Sequence, residues 1–357
     1  LTIPAVRNEE IMCEYGEDHR EIYKIDFKEK LKEEIIKCLK KAGNELYLVD
    51  SSLISDKTYL DVHAHERSIC FRFGTYLNKY IESNSFLKKY DLEEDLSIKR
   101  YENYKQMIEE NKLELISIAT ESGLHAEIAL YCIDHGINII IEKPMAMNIS
   151  DAEEIIRRSE ANGVKVSACH QNRFNIAVQE MRRVLEAGRF GCISHGSVHV
   201  RWNRGRSYYE QAPWRGTWEQ DGGALMNQCI HGIDLLRWML GDEIDTVYGV
   251  TRQKFHNYLE AEAVGMAVLQ FKNGAVATIE GTTNVYPKNL EETLYLFGEK
   301  GTVKLGGTSA NNIDVWNFAD LSDEDIKTQG LEEAASNVYG NGPISLFKDV
   351  IDSVTAD

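Results

Sequence analysis

The sequence predicts an α/β fold in which a doubly wound parallel sheet precedes an α+β domain with a large, mostly antiparallel open sheet. Two observations carry this prediction. Between residues 100 and 169, short apolar strands alternate with helices, as in parallel βαβ units. From about residue 193 the strands become longer and alternate in polarity, and Asn273-Gly274 is a strong hairpin signal between two of them.

Hydrophobic periodicity and turn residues place the individual elements. In the first half we expect strands at 45–50, 113–119, 137–141 and 164–169. Helices are expected at 27–41, around 69–81, and at 101–110, 125–135 and 151–162, the last with a capping box formed by Ser150 and Glu153. In the second half we expect helices at 176–186 and 344–354, and strands at 193–202, 264–271, 275–280, 293–297 and 302–305.

Composition limits the kinds of partner. The 357 residues suit two domains, and a formal net charge of −17 disfavours nucleic acid and anionic membranes, so any anionic ligand needs a local cluster of basic groups. No secretory signal or membrane-spanning run is visible, and the seven cysteines are scattered, so we expect a cytoplasmic protein with reduced thiols. The chain starts at Leu1 and stops inside a predicted helix, and we expect a fragment at both ends.

Two loops follow apolar strands of the predicted parallel sheet, at the edge where such sheets bind ligands. The first carries Thr120, Ser122 and His125 and leads into a helix N-terminus, where free N–H groups favour ribose or phosphate. A plain helix cap would explain the same residues.

The second loop is Glu142-Lys143-Pro144, a charged pair placed directly after an apolar strand. Pro144 restricts Lys143 to an extended conformation or allows a cis bond, either of which directs the amine. Beside a cationic cofactor the pKa of this lysine would fall, and the lysine would become a competent general base for a hydroxyl proton. A surface salt bridge is the alternative.

A third candidate is a helix that follows the glycine pair Gly222-Gly223. Asn227, His231 and Asp234 are spaced i, i+4 and i+7, so all three are expected on one face of this helix, whose other positions are apolar. A lone helix histidine is more often structural, but a polar stripe on an apolar helix favours a site.

Together these segments resemble the Gfo/Idh/MocA oxidoreductases, which share the EKP tripeptide and a later helix with a glycine pair, a histidine and an aspartate. The resemblance covers roughly residues 100–349. It implies a Rossmann-like nucleotide-binding portion at 93–174, an α+β domain for substrate binding and oligomerisation at 175–357, and an atypical segment of uncertain origin at 1–92. It also implies NAD as cofactor, with NADP left open, and places Lys143 and His231 at the reacting hydroxyl of a sugar.

A closer resemblance lies at 201–204, 208–209, 214–218 and 280–292. These segments look like UDP-N-acetylglucosaminuronate 3-dehydrogenases, which also tend to carry asparagine at the position of Asn227. The implied reaction oxidises C3 of a UDP-N-acetylhexosaminuronate, with Lys143 as base and hydride passing to the nicotinamide. The implied cofactor site is Thr120, Ser122, His125, Glu142, Lys143, Gln171, Trp214 and Arg215. The implied substrate site is Asn172, Arg173, Arg201, Arg204, Tyr208, Asn227, Asp234 and Lys288, with no metal.

Positive charge is concentrated in one segment of this acidic chain. Arg201, Arg204 and Arg206 stand in a tyrosine-rich loop, and arginine forks match diphosphate and carboxylate geometry. From the residues alone, a solvated basic patch is an equal alternative. The open sheet of the second domain favours a homo-oligomer, a dimer or a tetramer.

The first hundred residues depart from the family pattern. Members begin with a GxGxxG turn that holds the cofactor pyrophosphate, but this stretch contains only Gly16, Gly43 and Gly74. A catalytically silent nucleotide-sugar-binding protein, or a chimeric fragment, is therefore the alternative to an enzyme. His63, His65 and Glu66 suggest a metal site only weakly, because a surface cluster is the more frequent meaning of such spacing.

Overall fold

The structure is a computed structural model that describes residues 47–49, 99–241, 243–331 and 342–356. Within them a parallel layer with helices precedes a seven-stranded sheet that carries helices on one face. The predicted fold class is confirmed. The helices predicted at 27–41 and 69–81, and the cluster of His63, His65 and Glu66, lie outside the described residues.

The parallel layer is built from short strands. β1 (Tyr47–Val49) pairs with β2 (Lys99–Tyr101), and β3 (Leu115–Ile118), β4 (Asn138–Ile141) and β5 (Val166–Ala168) form a second parallel sheet in that order. Helices α1 (Tyr104–Glu110), α2 (His125–Asp134) and α3 (Ile149–Asn162) follow β2, β3 and β4. The helix predicted from residue 101 begins later, because Tyr101 is the last residue of β2 and Asn103 caps α1.

Helix α3 begins earlier than the sequence predicts. Its N-cap is Asn148, whose side chain accepts a hydrogen bond from the backbone N–H of Asp151 at 2.8 Å. Ser150 therefore lies inside the first turn, and the predicted capping box was wrong. Asparagine caps helices as well as serine does, so the polar stretch offered two competing starts. The predicted end at Gly163 is confirmed, with φ of 65°.

The second sheet has the strand order β12-β11-β10-β6-β9-β8-β7, and β6 with β9 is its single parallel pair among the described residues. The strands are β6 (Ile193–Arg201), β7 (Ile244–Arg252), β8 (Val264–Phe271), β9 (Val276–Thr282), β10 (Glu291–Gly298), β11 (Gly301–Gly306) and β12 (Asn312–Phe318). The predicted mostly antiparallel sheet is confirmed, including the turn at Gly274, where φ is 90°. Strands β7 and β12 were not predicted.

Helices cover one face of this sheet. The largest apolar cluster joins α4 (Ile176–Glu186) and α6 (Ile230–Leu240) to residues of β6 and β10 such as Val198 and Leu294. Between these two helices, α5 (Arg206–Tyr209) is a single turn in the loop after β6. A glycine permits close contact here, since a Cβ on Gly232 would lie 2.7 Å from Val198 Cγ2. Helix α6 therefore lies directly on the sheet, which fixes the position of the residues at its N-terminal end.

The last described helix, α8 (Gly342–Thr355), returns to the parallel layer. Leu346 and Val350 pack with Ile140 of β4 and with Cys169, while Ile139 and Ile141 face α2 on the opposite side. Strand β4 is thus covered on both faces, as a parallel sheet requires. Among the described helices, none is long and apolar enough to cross a membrane.

A buried carboxylate fastens α7 (Asp323–Thr328) to the outer strands. Asp325, 2% exposed, accepts hydrogen bonds from Arg189 Nη1 at 2.7 Å, from Trp316 Nε1 at 2.7 Å and from the backbone N–H and Oγ of Ser322 at 2.7 Å each. The Arg189 guanidinium, more than the other donors, holds the pKa of Asp325 well below its ordinary value. The ionised carboxylate therefore stabilises the fold.

We expect Asp325→Asn to lower the free energy of unfolding by about 3 kcal/mol at neutral pH, because Arg189 loses its buried countercharge and keeps only the exposed Asp320 at 3.2 Å. Urea denaturation measures the loss. Asp323→Asn, an exposed position of the same helix, is the control and should cost less than about 1 kcal/mol. Since the folded pKa is lowered, the wild-type advantage should be complete above about pH 4 and decline as the pH falls further. Equal losses for both variants would contradict the assignment.

Candidate active site

The loop after β3 is tied to the loop after β4 by a histidine. The ring of His125 lies at the start of α2, with Nδ1 2.7 Å from the carbonyl oxygen of Pro144 and Nε2 3.1 Å from that of Thr120. Burial lowers its pKa. Because both ring nitrogens face backbone acceptors, His125 joins the two loops and has no nitrogen left for the cofactor contact that the sequence led us to expect.

Other polar groups of the first loop are turned inward. Ser122 and Glu121 are buried, and Oε2 of Glu121 has no hydrogen-bond partner among the described residues. Thr120 Oγ1 donates to the carbonyl oxygen of Glu121 at 3.3 Å. A buried carboxylate oxygen without a donor is unusual in a folded protein and is the kind of atom that a ligand completes.

Lys143 connects the parallel layer to the second sheet. It precedes a cis peptide bond to Pro144, and its Nζ donates to the backbone carbonyl oxygen of Asn227 at 2.6 Å and to Oδ1 of the same residue at 3.3 Å. Burial lowers the pKa of Lys143, while the charges of Tyr208, Glu142 and Asp221 act in the opposite direction. The amine is therefore held at the boundary of the two regions with a reduced affinity for its proton.

The segment that Lys143 contacts is a wide turn of the π type, Ala224–Gln228, followed by α6. Gln171 Nε2 donates to Nε2 of His231 at 3.0 Å. Arg173 forms a two-pronged ion pair with Asp234, with bonds of 2.7 and 2.6 Å. Asn227, His231 and Asp234 thus all meet partners from the parallel layer or the turn after it. The sequence placed all three on one helix, but only His231 and Asp234 lie on α6, because the π-type turn holds Asn227 before the helix begins. Turns of this type occur often at functional sites.

Asp221 is part of the site and was missed in the sequence. Its buried carboxylate accepts from the backbone N–H of Gly216 at 2.6 Å and from Nδ2 of Asn227. Burial raises the pKa of Asp221. Because Nδ2 of Asn227 is engaged by Asp221, Oδ1 remains on the side of Lys143. The position of Asp221 directly before Gly222-Gly223 was the only signal in the sequence.

Two arginines stack on aromatic rings beside Lys143. The guanidinium of Arg204 lies 4.9 Å from the ring centre of Trp202 and 5.1 Å from that of Tyr208, and that of Arg215 lies 4.3 Å from Tyr208 and 4.7 Å from Trp214. The Tyr208 hydroxyl accepts from Arg215 and from Gln228 Nε2, the latter at 2.9 Å. No carboxylate of the described residues forms an ion pair with either arginine.

Four further expected substrate residues lie elsewhere or are already engaged, namely Arg173, Arg201, Asp234 and Lys288. Arg201 lies on the face of the sheet that the helices do not cover, because Val200, the residue before it in β6, faces the helices. It forms bonds of 2.8 Å to Glu280 and 2.5 Å to Glu291. Arg173 is neutralised by Asp234, as described above. Lys288 is exposed in the loop between β9 and β10. Asn172 is buried within the site, and its Oδ1 has no partner among the described residues.

Two family models match the chain. One, described as an oxidoreductase family with an NAD-binding Rossmann fold, matches residues 80–170, and the other, described as the Gfo/Idh/MocA C-terminal domain, matches residues 178–304. The first match begins ahead of the junction predicted near residue 92. The description of this first model as NAD-binding agrees with the expected NAD cofactor.

Solved structures with the same fold include two WlbA dehydrogenases, each in complex with NADH and UDP-GlcNAcA. The protein from Bordetella pertussis is 34% identical, with 75% of this chain and 76% of that chain covered and a TM-score of 0.67. The protein from Chromobacterium violaceum is 28% identical, with 87% and 86% covered and a TM-score of 0.69.

Curated relatives are more distant. Myo-inositol 2-dehydrogenase of Thermotoga maritima is 23% identical over 223 residues, which are 60% of this chain and 63% of that protein. The 2,7-anhydro-N-acetylneuraminate hydratase of Mediterraneibacter gnavus is 25% identical over 205 residues, 55% of this chain and 53% of that protein. The chain thus spans between half and two-thirds of these relatives.

A parallel layer with helices, an open sheet and a lysine held between them are features of Rossmann-type oxidoreductases with an attached α+β domain. Both family models and the structural likeness to the Bordetella dehydrogenase agree. The chain belongs to the Gfo/Idh/MocA family of oxidoreductases.

Proposed function

We propose that this chain is an NAD-dependent oxidoreductase that oxidises a sugar hydroxyl, and that its substrate is a UDP-N-acetylhexosaminuronate oxidised at C3. The observation that carries the proposal is the position of Lys143, whose amine reaches from the end of a parallel strand to the turn before His231. The likeness to two dehydrogenases described with NADH and UDP-GlcNAcA supports the choice of substrate.

Lys143 is the proposed general base. Burial lowers its pKa, which makes the uncharged amine that accepts the proton of a hydroxyl easier to form than in an exposed lysine. His231 is the second proposed contact of that hydroxyl, fixed in orientation by the bond from Gln171. Bound NAD⁺ supplies the acceptor for the hydride that leaves the carbon as the carbonyl forms.

Residues of the parallel layer fit the nicotinamide half of the cofactor. The buried Oε2 of Glu121 lacks a donor, which a ribose hydroxyl offers, and Thr120, Ser122, Glu142, Gln171, Trp214 and Arg215 are the other proposed contacts. We assign nucleotide binding to 93–174 and substrate binding to 175–357. Helix α8 is an exception by its packing, because it covers β4 of the parallel layer.

Arg204 is the proposed partner of the anionic part of the substrate, with Tyr208, Asn172 and Asn227 beside it. Its guanidinium is partly buried and held over two rings, and Nε has no hydrogen-bond partner among the described residues. A net charge of −17 gives the molecule as a whole no attraction for a nucleotide sugar. A local, pre-oriented guanidinium therefore has to supply it.

We expect the protein to reduce NAD⁺ in the presence of a UDP-N-acetylhexosaminuronate, and Lys143→Met to lower kcat by about a thousandfold or more, because no other base replaces the amine. Affinity for the sugar nucleotide, measured by calorimetry, should change by less than about threefold, since the methionine keeps the volume of the side chain. Lys105→Met, at a partly exposed position of α1, is the control. Turnover retained by Lys143→Met would refute the base role.

A second candidate function is a catalytically silent nucleotide-sugar-binding protein, favoured by the lack of a GxGxxG turn in the sequence given. Titration of NADH fluorescence separates the two. Saturable binding in the micromolar range supports the enzyme, and sugar-nucleotide binding without any NADH binding supports the silent protein.

We expect Arg204→Gln to weaken binding of the UDP-sugar by about tenfold or more, because the charge-assisted bond to an anionic group is lost while the stacking surface is largely kept. Arg206→Gln is a matched control from the same loop, since Arg206 is exposed and pairs with Glu210. Calorimetric titration at a fixed ionic strength measures both. Equal losses for the two variants would show a diffuse electrostatic effect.

The uncovered face of the seven-stranded sheet is the proposed contact between copies of this chain. Five exposed apolar side chains lie on it: Tyr248, Val250, Met266, Val268 and Val276. Such a patch favours association. We expect a dimer or tetramer by light scattering and a shift towards monomer in Val268→Lys, with Ile156→Lys on the exposed face of α3 as the control. A monomeric wild type would contradict this part of the proposal.

A further inference from the structure

Gln228 is a buried side chain at the site to which the proposed reaction assigns no role. It ends the π-type turn Ala224–Gln228, and its Nε2 lies 2.9 Å from the hydroxyl oxygen of Tyr208 and 2.9 Å from Oδ1 of Asn227. Oδ1 of Asn227 is also the atom that Nζ of Lys143 approaches at 3.3 Å. One amide group therefore connects the partner of the proposed base to a tyrosine that contacts two arginines.

The donor and the acceptor of each bond follow from the two ends of this chain of contacts. Asn227 lies between Nζ of Lys143, which is a donor, and the carboxylate of Asp221, which is an acceptor. Its amide therefore turns Oδ1 towards Lys143 and Nδ2 towards Asp221. Because Oδ1 is an acceptor, Gln228 has to face it with an N–H group. The second N–H of the same amide then points to the oxygen of Tyr208.

The hydroxyl oxygen of Tyr208 accepts two hydrogen bonds. One comes from Gln228, and the other comes from Nη1 of Arg215. With both acceptor positions filled, the proton of Tyr208 has to point in a third direction. In the part of the chain that the structure describes, no acceptor for that proton is present. The hydroxyl is therefore a donor that a ligand can use.

Two further donors of the same group of side chains have no acceptor. The guanidinium groups of Arg204 and Arg215 stack on the ring of Tyr208, and the Nε atom of each is buried without a hydrogen-bond partner among the described residues. Buried donors are normally bonded. Unmet donors on two cations and one hydroxyl suit a negatively charged oxygen, as in a carboxylate or a phosphate.

We propose that Tyr208 donates a hydrogen bond to an anionic oxygen of the substrate, and that Gln228 is the positioning residue that reserves the Tyr208 proton for it. By donating to Tyr208, the amide of Gln228 prevents that proton from being used within the protein. Its other N–H holds Asn227, so the hydroxyl of Tyr208 and the amine of Lys143 are kept at a fixed separation. The identity of the ligand rests on the proposed function, whereas the direction of the hydrogen bonds does not.

A double-mutant cycle tests the role of Gln228. Gln228→Glu keeps the shape of the side chain but replaces its N–H donor by a carboxylate oxygen, which accepts the Tyr208 proton. Affinity for UDP-N-acetylglucosaminuronate, measured by calorimetry, should fall about tenfold or more. Tyr208→Phe should cost about tenfold or more in the wild type but less than about threefold in Gln228→Glu, because the proton is already diverted. Losses that simply multiply in the double variant would overturn the positioning role.

Two further variants separate this effect from a change of charge and from misfolding. Gln253→Glu adds the same charge at an exposed position of the loop after β7 and should leave the affinity within about twofold of the wild type. Gln228→Met removes both donors without adding charge. It should weaken binding more than Gln253→Glu and less than Gln228→Glu, since the Tyr208 proton can then turn either way. Wild-type affinity in Gln228→Met would contradict the proposal.

A second ligand decides the source of the anionic oxygen. UDP-N-acetylglucosamine keeps the diphosphate of the proposed substrate and lacks its carboxylate. If Tyr208→Phe weakens the binding of both sugar nucleotides, the hydroxyl serves the diphosphate, and if it weakens only the binding of the uronate, the hydroxyl serves the carboxylate. Unchanged affinity of Tyr208→Phe for both compounds would overturn the donation itself.

Carbon NMR of protein labelled with ¹³C at tyrosine Cζ tests the hydrogen bonds without any ligand. The resonance missing from Tyr208→Phe is that of Tyr208, and it should move downfield in Gln228→Glu, because the hydroxyl changes from accepting at position 228 to donating there. Gln253→Glu should leave this resonance unchanged. An unmoved resonance in Gln228→Glu would overturn the direction of the bonds. If the wild type binds no sugar nucleotide, the proposed function fails, and this spectrum still decides that direction.

Discussion

The hydrogen bond from Lys143 to the backbone of Asn227 is the contact on which the site depends. It is made at 2.6 Å between the loop after a parallel strand and the turn that precedes α6, so it places an amine where two regions of the chain meet. The acceptor is a carbonyl oxygen, and the bond is therefore indifferent to whether residue 227 is asparagine or aspartate. The carboxylate of Asp221 orients the amide of Asn227 by accepting a hydrogen bond from its Nδ2.

The arginines at and near the site fall into two groups. Some form ion pairs with carboxylates of the protein, and others have no carboxylate partner among the described residues. Arg173 and Arg201 are both bound by carboxylates, and each secures a junction of elements. Arg204 and Arg215 are stacked on rings instead, which orients their guanidinium groups without neutralising them. The protein therefore keeps two of its cations unpaired by carboxylates in a molecule of strongly negative net charge. Only the unpaired ones can attract an anionic ligand.

Much of the fold could be predicted, because a helix or strand with one buried face repeats its apolar residues at a regular spacing in the sequence. Helix α4 and strand β8 match their predicted limits, since each has one clearly apolar face. Strand β7 could not be predicted, because as an edge strand it is exposed along almost its whole length and shows no alternation. At the site, Lys143 and the α6 residues were predictable from their place at element ends. Asp221 was not, since its contacts with Gly216 and Asn227 depend on an irregular turn that leaves no period in the sequence. The alternation of side chains along β6 did indicate that Arg201, which follows the buried Val200, faces away from the site.

Helix α6 packs against the sheet on one side and against the turn after β5 on the other. Apolar residues face the sheet, and polar residues face the turn. Leu235, Leu236 and the gap at Gly232 let one side lie directly on the sheet. On the other side, Asn227 of the preceding turn and then His231 and Asp234 of the helix meet three partners in succession. Two of these contacts, Gln171 with His231 and Arg173 with Asp234, join groups that are fixed by short turns. The third partner is Lys143, whose amine bonds to the backbone carbonyl of Asn227 just before the helix. The contacts of His231 and Asp234 therefore hold the helix in register with the turn after β5, and the contact of Asn227 holds the start of this segment against the loop after β4.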